Sequence, residues 1–333
     1  MDRANGLDEA GNGFNGVEEV EENFVDAEDG QCFGRKEKPD ERDARGRPGI
    51  PDGEIVARMP VERNATHYNM NHRKRGLAII FNHENFECGN LKSRAGTEAD
   101  CKQLKGCLSN LHFDVHVYKD LTAYEVEDRI RRTAQEDHSD RDCLLITVLS
   151  HGECGIIYAK DRSYVPDTLW SLFRADLCPT LAGKPKIFFL QACQGDKLDK
   201  GVTLSRTETD GEIHSNYKIP AQADFLVVYS TYKVTPFEAL LEGKTIPPDL
   251  NEAQGYYSWR NTTYGSWFVQ SLVKELTENA YKMDLVTLLT FVSQRVAIHF
   301  ESNVPTDPTM HRQKQIPCIM SMLTRLIQFN VKQ

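Results

Sequence analysis

From residue 77 onward, short continuous apolar runs alternate with longer stretches in which apolar positions recur every three or four residues. Leu77–Phe81 is an unbroken apolar run closed by Asn82-His83, the pattern of a strand covered on both faces. Thr97–Asn110 puts Ala99, Leu104 and Leu108 at helical spacing, with Thr97 in the capping position. Phe113–Tyr118 reads as a strand and Glu125–Gln135 as a helix. Leu144–Leu149, stopped by Ser150-His151-Gly152, and Lys186–Leu190 are two more buried strands. The pattern lapses over the polar, glycine-bearing stretch Asp196–Lys218, which reads as an exposed loop. It resumes at Ala223–Tyr229, followed by a proline-containing polar segment, 232–254. Helical spacing returns over Ser266–Glu278 and Asp284–Phe300, and Ile316–Thr324 is apolar enough for a last strand. Continuous apolar strands alternating with amphipathic helices predict an α/β fold: a mostly parallel sheet with helices on both faces.

Charge divides the chain unevenly. Residues 1–53 carry 15 acids and 7 bases, so nearly all of the net charge of −9 sits on a glycine-rich arm with few large apolar side chains. Such a segment buries too little surface to offset its ordering entropy, and residues 1–43 are expected to be disordered. The remaining 280 residues are near neutral and long enough for one large core. No basic excess points to nucleic acid or an anionic membrane, and no apolar run approaches the ~18 residues of a membrane span. Nine cysteines, an odd number, without a secretory signal point to reduced thiols and a cytoplasmic location. Asn64-Ala65-Thr66 and Asn261-Thr262-Thr263 are then glycosylation triplets in form only.

Ligands of parallel sheets bind beyond the carboxyl ends of the strands, and two strands here end in reactive residues. Cys193 lies in Gln191-Ala192-Cys193-Gln194-Gly195 and His151 in Ser150-His151-Gly152-Glu153. A cysteine nucleophile needs a base close by in space, and glycines beside both residues let the backbone approach a substrate carbonyl. The bland alternative is a structural thiol and a histidine that ends a strand. A zinc site built from His151, Glu153, Cys154 and Cys193 lacks paired C-x-x-C ligands, so neither a metal nor another cofactor is expected.

The segment around Cys193 fits the Q-A-C-[RQG]-G pattern of caspases, with His151 42 residues upstream. Leu91-Lys92-Ser93-Arg94, Ala223-Asp224-Phe225-Leu226, Tyr256-Tyr257-Ser258-Trp259-Arg260-Asn261, Gly265-Ser266-Trp267-Phe268 and Lys314-Gln315-Ile316-Pro317-Cys318 follow in the order of that family's landmarks. Over about 55–333 the chain resembles an insect executioner caspase. The resemblance implies a caspase-like, mostly parallel six-stranded sheet and an Asp-specific cysteine endopeptidase of apoptosis. It implies Cys193 as nucleophile, His151 as general acid/base, and the backbone N–H groups of Gly152 and Cys193 as oxyanion hole. Arg94, Gln191 and Arg260 would hold the P1 side chain, the residue before the cut bond. Ser258 and Arg260 would pair with the substrate backbone, Tyr257, Trp259 and Met310 would shape P2, and Asn261 and Trp267 would shape P4. Trp259 and Tyr257 read as pocket aromatics rather than core builders.

By the same resemblance, partners are protein substrates with D-x-x-D sites, an upstream initiator caspase and a second copy of the chain paired through the last strand. An Asp-specific protease reads its own loops. Thr207-Glu208-Thr209-Asp210 precedes Gly211 in the long polar loop, and Asp43 ends a D-x-x-D in the acidic arm, with Asp29 and Asp52 as alternatives. Cleavage after Asp43 leaves Ala44 as a new N-terminus of the kind that binds inhibitor-of-apoptosis proteins. The expected parts are a pro-segment 1–43, a large subunit 44–210 and a small subunit 211–333, the last two forming one catalytic domain. An arm this short leaves no room for a death-fold recruitment domain, which places the chain downstream in a cascade. The stretch 232–254 is an insertion relative to the family: a surface excursion, a subsite modifier or a mispredicted exon junction. A catalytically silent caspase-like regulator is the runner-up; a nucleotide-binding α/β protein lacks its glycine-rich phosphate loop.

Overall fold

The computed structural model describes residues 60–89, 91–195, 198, 223–232 and 256–332. The acidic arm, the candidate cleavage positions Asp29, Asp43, Asp52 and Asp210, and the insertion apart from Tyr232 lie outside the described residues.

Six strands form one sheet in the order β11–β8–β7–β3–β1–β2. These are β1 (Lys74–Asn82), β2 (Asp114–Lys119), β3 (Arg141–Leu149), β7 (Lys186–Gln191), β8 (Phe225–Tyr229) and β11 (Cys318–Ser321). All pairs are parallel except β8 with β11. The apolar runs are continuous because alternate residues serve two cores. Ala78, Ile80, Leu145, Ile187, Phe189, Leu226 and Val228 face α1 (Thr97–Asn110), α3 (Trp267–Asn279) and α4 (Leu285–His299). Leu77, Ile79, Ile146, Phe188 and Val227 face α2 (Ala123–Gln135) and the short turns between Pro166 and Leu181.

Local rules set the helix ends. α2 starts two residues earlier than its apolar pattern, because Thr122 and Glu125 form a reciprocal capping box. Asp284 caps α4 through Oδ1, which accepts from the N–H groups of Val286 and Thr287. The expected Thr97 cap of α1 is a correction: Gly96, in a left-handed conformation, holds the cap position without a side-chain bond. Thr97 is inside the helix, and its hydroxyl instead donates to Asn82 Oδ1 and accepts from Arg94 Nη1. The last strand is also shorter than expected; Ile316–Pro317 precede it. Three short strands, β4 (Gly152–Glu153), β5 (Ile156–Tyr158) and β6 (Ser163–Tyr164), make a separate antiparallel flap, too brief to show in the apolar pattern.

A buried ion cluster ties the C-terminal segment to the sheet. The Asp142 carboxylate, fully enclosed, accepts from Arg75 Nη1 at 2.8 Å and Lys332 Nζ at 2.6 Å, and from the His72 backbone N–H. Arg75 also donates to the carbonyls of Leu111 and Asn330 and stacks over Phe329. Removing the anion leaves a guanidinium and an ammonium without their counter-charge in a closed site. Asp142→Ala is expected to lower the unfolding free energy by about 3–5 kcal/mol, read by urea denaturation against the parent chain; a change below ~1 kcal/mol would show that the cluster is dispensable.

Candidate functional site

Register brings the chemistry together. Asn82 pairs with Leu149 and Leu149 with Gln191, so β1, β3 and β7 end at one level. The chain runs outward from β1 to β2 and then returns to β3 on the other side, making the β1/β3 boundary the switch point of the sheet. His83, His151 and Cys193 therefore leave the sheet edge side by side. Gly152 lies so close to the third strand that a Cβ there would sit 2.7 Å from the Cys193 carbonyl and 2.9 Å from Ala192 Cβ. Only glycine allows this approach.

His151 Nε2 lies 2.8 Å from the Lys92 carbonyl. A carbonyl only accepts, so Nε2 carries the proton and Nδ1 is the free lone pair of the neutral ring. Phe86 packs against the imidazole at 4.8 Å between centroids. Burial pulls the His151 pKa below its ordinary value; the Lys92 carbonyl opposes this and the charges of Arg94 and Arg260 add to it. Burial also pushes the Cys193 thiol up, against the Ser258 N–H bond and the same two arginines. In this arrangement the pair rests as neutral thiol and neutral imidazole. The extended segment carrying Ser258 covers the sulfur: Ser258 N–H donates to Sγ at 3.4 Å, and Sγ–H donates to the Ser258 carbonyl at 3.9 Å.

Next to the sulfur is a positive pocket. Arg94 is 1% exposed; Nη1 donates to the His83 carbonyl and Thr97 Oγ1, while Nε has no partner. Burial and the neighbouring Arg260 pull its pKa down to about 9, so it stays charged at neutral pH. Arg260, half-buried, donates through Nε to the Ala95 carbonyl. Among the described residues neither arginine makes an ion pair. Gln191 Nε2 donates to Ser258 Oγ, which donates to Ser230 Oγ, which donates to the Ala192 carbonyl. Gln191 Oε1 is left without a partner. Gln315 accepts from Trp259 N–H and donates to the Ser230 carbonyl, clamping the 256–260 segment to the end of β8.

Trp259 and Trp267 stack at 5.6 Å, and Trp267 stacks on Phe300 at 5.5 Å. Both tryptophans are buried, in a small cluster with Val296 that Met310 and Leu198 border. Here the expectation that Trp259 is no core builder is corrected: it closes its own satellite core, whereas Tyr257 remains exposed at 5.1 Å from it. Asn261 Oδ1 accepts from the N–H groups of Thr263 and Tyr264, closing the turn between β9 (Arg260–Asn261) and β10 (Gly265–Ser266). Sequence reasoning gave no role to Lys92 or Gln315, although both lie in the landmark segments, nor to Phe86 or Ser230. The Lys92 carbonyl has no side-chain signature, and Ser230 is marked only by directly following a buried strand.

The caspase domain family model matches residues 75–236 and 251–328, breaking off inside the expected insertion. Caspase drICE of Drosophila melanogaster is 54% identical over 280 residues, covering 84% of this chain and 76% of that protein. The crystal structure of caspase-1 from Spodoptera frugiperda superposes with a TM-score of 0.73 at 53% identity, covering 84% of this chain and 99% of the other. The solved structure of pro-sf-caspase-1 gives 0.62 at 54% identity, with the same coverage. The chain belongs to the caspase family and is an Asp-specific cysteine endopeptidase of apoptosis, of the insect executioner kind.

Proposed function

We propose that this caspase cuts after Asp through Cys193 and His151, with Arg94, Gln191 and Arg260 gripping the P1 carboxylate. The observation that carries the reading is Arg94: an enclosed guanidinium next to the sulfur, with an unsatisfied Nε and no ion pair among the described residues. An enclosed cation without a counter-ion is costly, and a substrate carboxylate removes that cost. His151 Nδ1 takes the Sγ proton, the thiolate attacks the P1 carbonyl, and the N–H groups of Gly152 and Cys193 receive the oxyanion. The imidazolium then returns its proton to the leaving amine, and water hydrolyses the thioester. The Ser258 N–H and carbonyl that hold the thiol are the groups expected to pair with the substrate backbone, so binding exchanges one set of contacts for the other. Tyr257, Trp259 and Met310 flank P2, and Asn261 and Trp267 flank P4, with D-x-x-D the preferred sequence.

The enzyme acts on protein substrates and is processed by upstream caspases. Processing divides it into a pro-segment 1–43, a large subunit 44–210 and a small subunit 211–333, the last two forming one domain. The exposed edge of β11, with Met320 on it and Met322 just after it, supports pairing of two copies. A cytosolic location is supported by described thiols such as Cys101, Cys107 and Cys143, which form no disulfide, and is checked by cell fractionation.

Cys193→Ala should abolish turnover of a D-x-x-D peptide while the fold is kept. Arg94→Ala should cost at least ~3 kcal/mol in kcat/KM; equal turnover of P1 Asn and P1 Asp peptides would defeat the pocket assignment.

The pH profile follows from burial. Neutral His151 is the working base and predominates above its depressed pKa. Activity should therefore hold down to the ordinary imidazole value near ~6.5 and fall only at more acid pH. Loss beginning above pH ~7 would contradict it.

Asp210→Ala should leave a mostly inactive single chain, because loops on both sides of the cut must rearrange to form the pocket. N-terminal sequencing of active enzyme should read Ala44 and Gly211, and light scattering should give the mass of a pair. Asp43→Ala should keep activity but lose capture by an inhibitor-of-apoptosis protein. A fully active undivided monomer would overturn the scheme.

A further inference from the structure

Asp100 is the one buried carboxylate within electrostatic reach of both pocket arginines among the described residues, and nothing above gives it a task. It sits in the first turn of α1 with no exposed surface. Its Oδ1 accepts from the Ser266 N–H at 2.7 Å and its Oδ2 from Ser266 Oγ at 2.9 Å. Ser266 is paired with Arg260 across the β9–β10 ladder and directly precedes Trp267, the first residue of α3. Trp267 in turn donates its N–H to the Trp259 carbonyl and stacks on that ring. One side chain thus ties the first turn of α1, six residues after Arg94, to the hairpin that carries Arg260 and leads into Trp267.

The contact is close enough to dictate the sequence on the other side. Gly265 has a φ of +94°, and a Cβ on it would lie 2.2 Å from Asp100 Oδ1. Asp100 and the two arginines also act on one another's charge. Burial pushes the Asp100 pKa up, against the two Ser266 bonds and both arginines, each of which favours the carboxylate; Asp100 in turn favours the Arg94 cation, while Arg260 opposes it. Without an ion pair to either arginine, the carboxylate acts on them through space, as a counterweight and not as a bonded partner.

We propose that Asp100 is a positioning residue for specificity: through Ser266 it fixes the hairpin that carries the P1 and P4 groups, and its charge partly offsets Arg94 and Arg260 between substrates. In its ionised form, the Asp100 carboxylate beneath the pocket also repels the P1 carboxylate. Asp100 therefore trades affinity for a pocket that is formed before substrate arrives. The two effects separate by substitution. Asp100→Asn removes the charge but keeps an acceptor for Ser266 N–H and an amide that can donate to Ser266 Oγ. Ser266→Ala keeps the charge and weakens the tether.

The inference rests on the P1 assignment of Arg94 and Arg260. Turnover of P1-Asp peptide by the processed parent enzyme, and its loss in Arg94→Ala, test that assignment separately. Given both, steady-state kinetics on D-x-x-D peptides and on peptides with Ala at P4 decide the role of Asp100. D100N is expected to lower KM for the P1-Asp peptide at least threefold, with kcat changed by less than about twofold. S266A is expected to reduce the preference for Asp over Ala at P4 at least threefold, with a smaller effect on P1. If D100N folds and its KM is unchanged or higher, the electrostatic role is overturned. If D100N does not fold, S266A decides: an unchanged P4 ratio overturns the positioning role, and a reduced one sustains it.

Discussion

Everything at this site hangs from the register of three parallel strands. Parallel pairing lets β1, β3 and β7 end at the same height and point their carboxyl ends one way, and the loops that follow them meet. The backbone ladder continues one step past each strand, with His83 N–H donating to Leu149 and Ser150 N–H to Gln191. These bonds fix where the loops begin, so the approach of Gly152 to the Cys193 backbone follows from the ladder. A slip of one residue would turn each strand's two apolar faces over and separate the groups by several ångströms. The two cores that hold the register are thus also what holds the chemistry.

The same fold handles two enclosed arginines in opposite ways. Arg75 is fully compensated: a carboxylate, two carbonyls and an aromatic face surround it. Arg94 is equally enclosed, yet among the described residues its partners are a carbonyl and a hydroxyl, and one nitrogen is unsatisfied. In the first case the charge helps hold the chain end to the sheet. In the second, electrostatic cost is concentrated at the place where a substrate anion relieves it. Burial likewise shifts Cys193 and His151 in opposite directions, and both shifts favour the uncharged pair over a separated thiolate and imidazolium.

Much of this was legible from residue order alone, for identifiable reasons. Continuous apolar runs such as Leu144–Leu149 and helical spacing such as Thr97–Asn110 reflect burial, which is what periodicity records. Cys193, His151 and the paired arginines stand out because their side chains do the work. What was hidden depends on backbone atoms or on distant partners. The Lys92 carbonyl that orients His151 is the same atom in any residue, and the Gln315 bridge joins segments 56 or more residues apart. The burial of Trp259 was obscured because its flanks are polar. Its partners, Trp267, Val296 and Phe300, come from elsewhere in the chain.

The ends of the insertion meet before it begins. Tyr256 N–H donates to the Tyr232 carbonyl at 3.0 Å, their rings stack at 4.4 Å, and the Tyr256 carbonyl then accepts from Gln194 N–H beside Cys193. A closed stem separates the length of the intervening chain from the geometry of the pocket, and doubling a flexible loop adds only about 0.6 kcal/mol of closure entropy. A change in the length of this stretch therefore costs little in closure entropy as long as the stem stays paired. For the same reason it is a natural place to graft an epitope or a fluorescent reporter onto the enzyme.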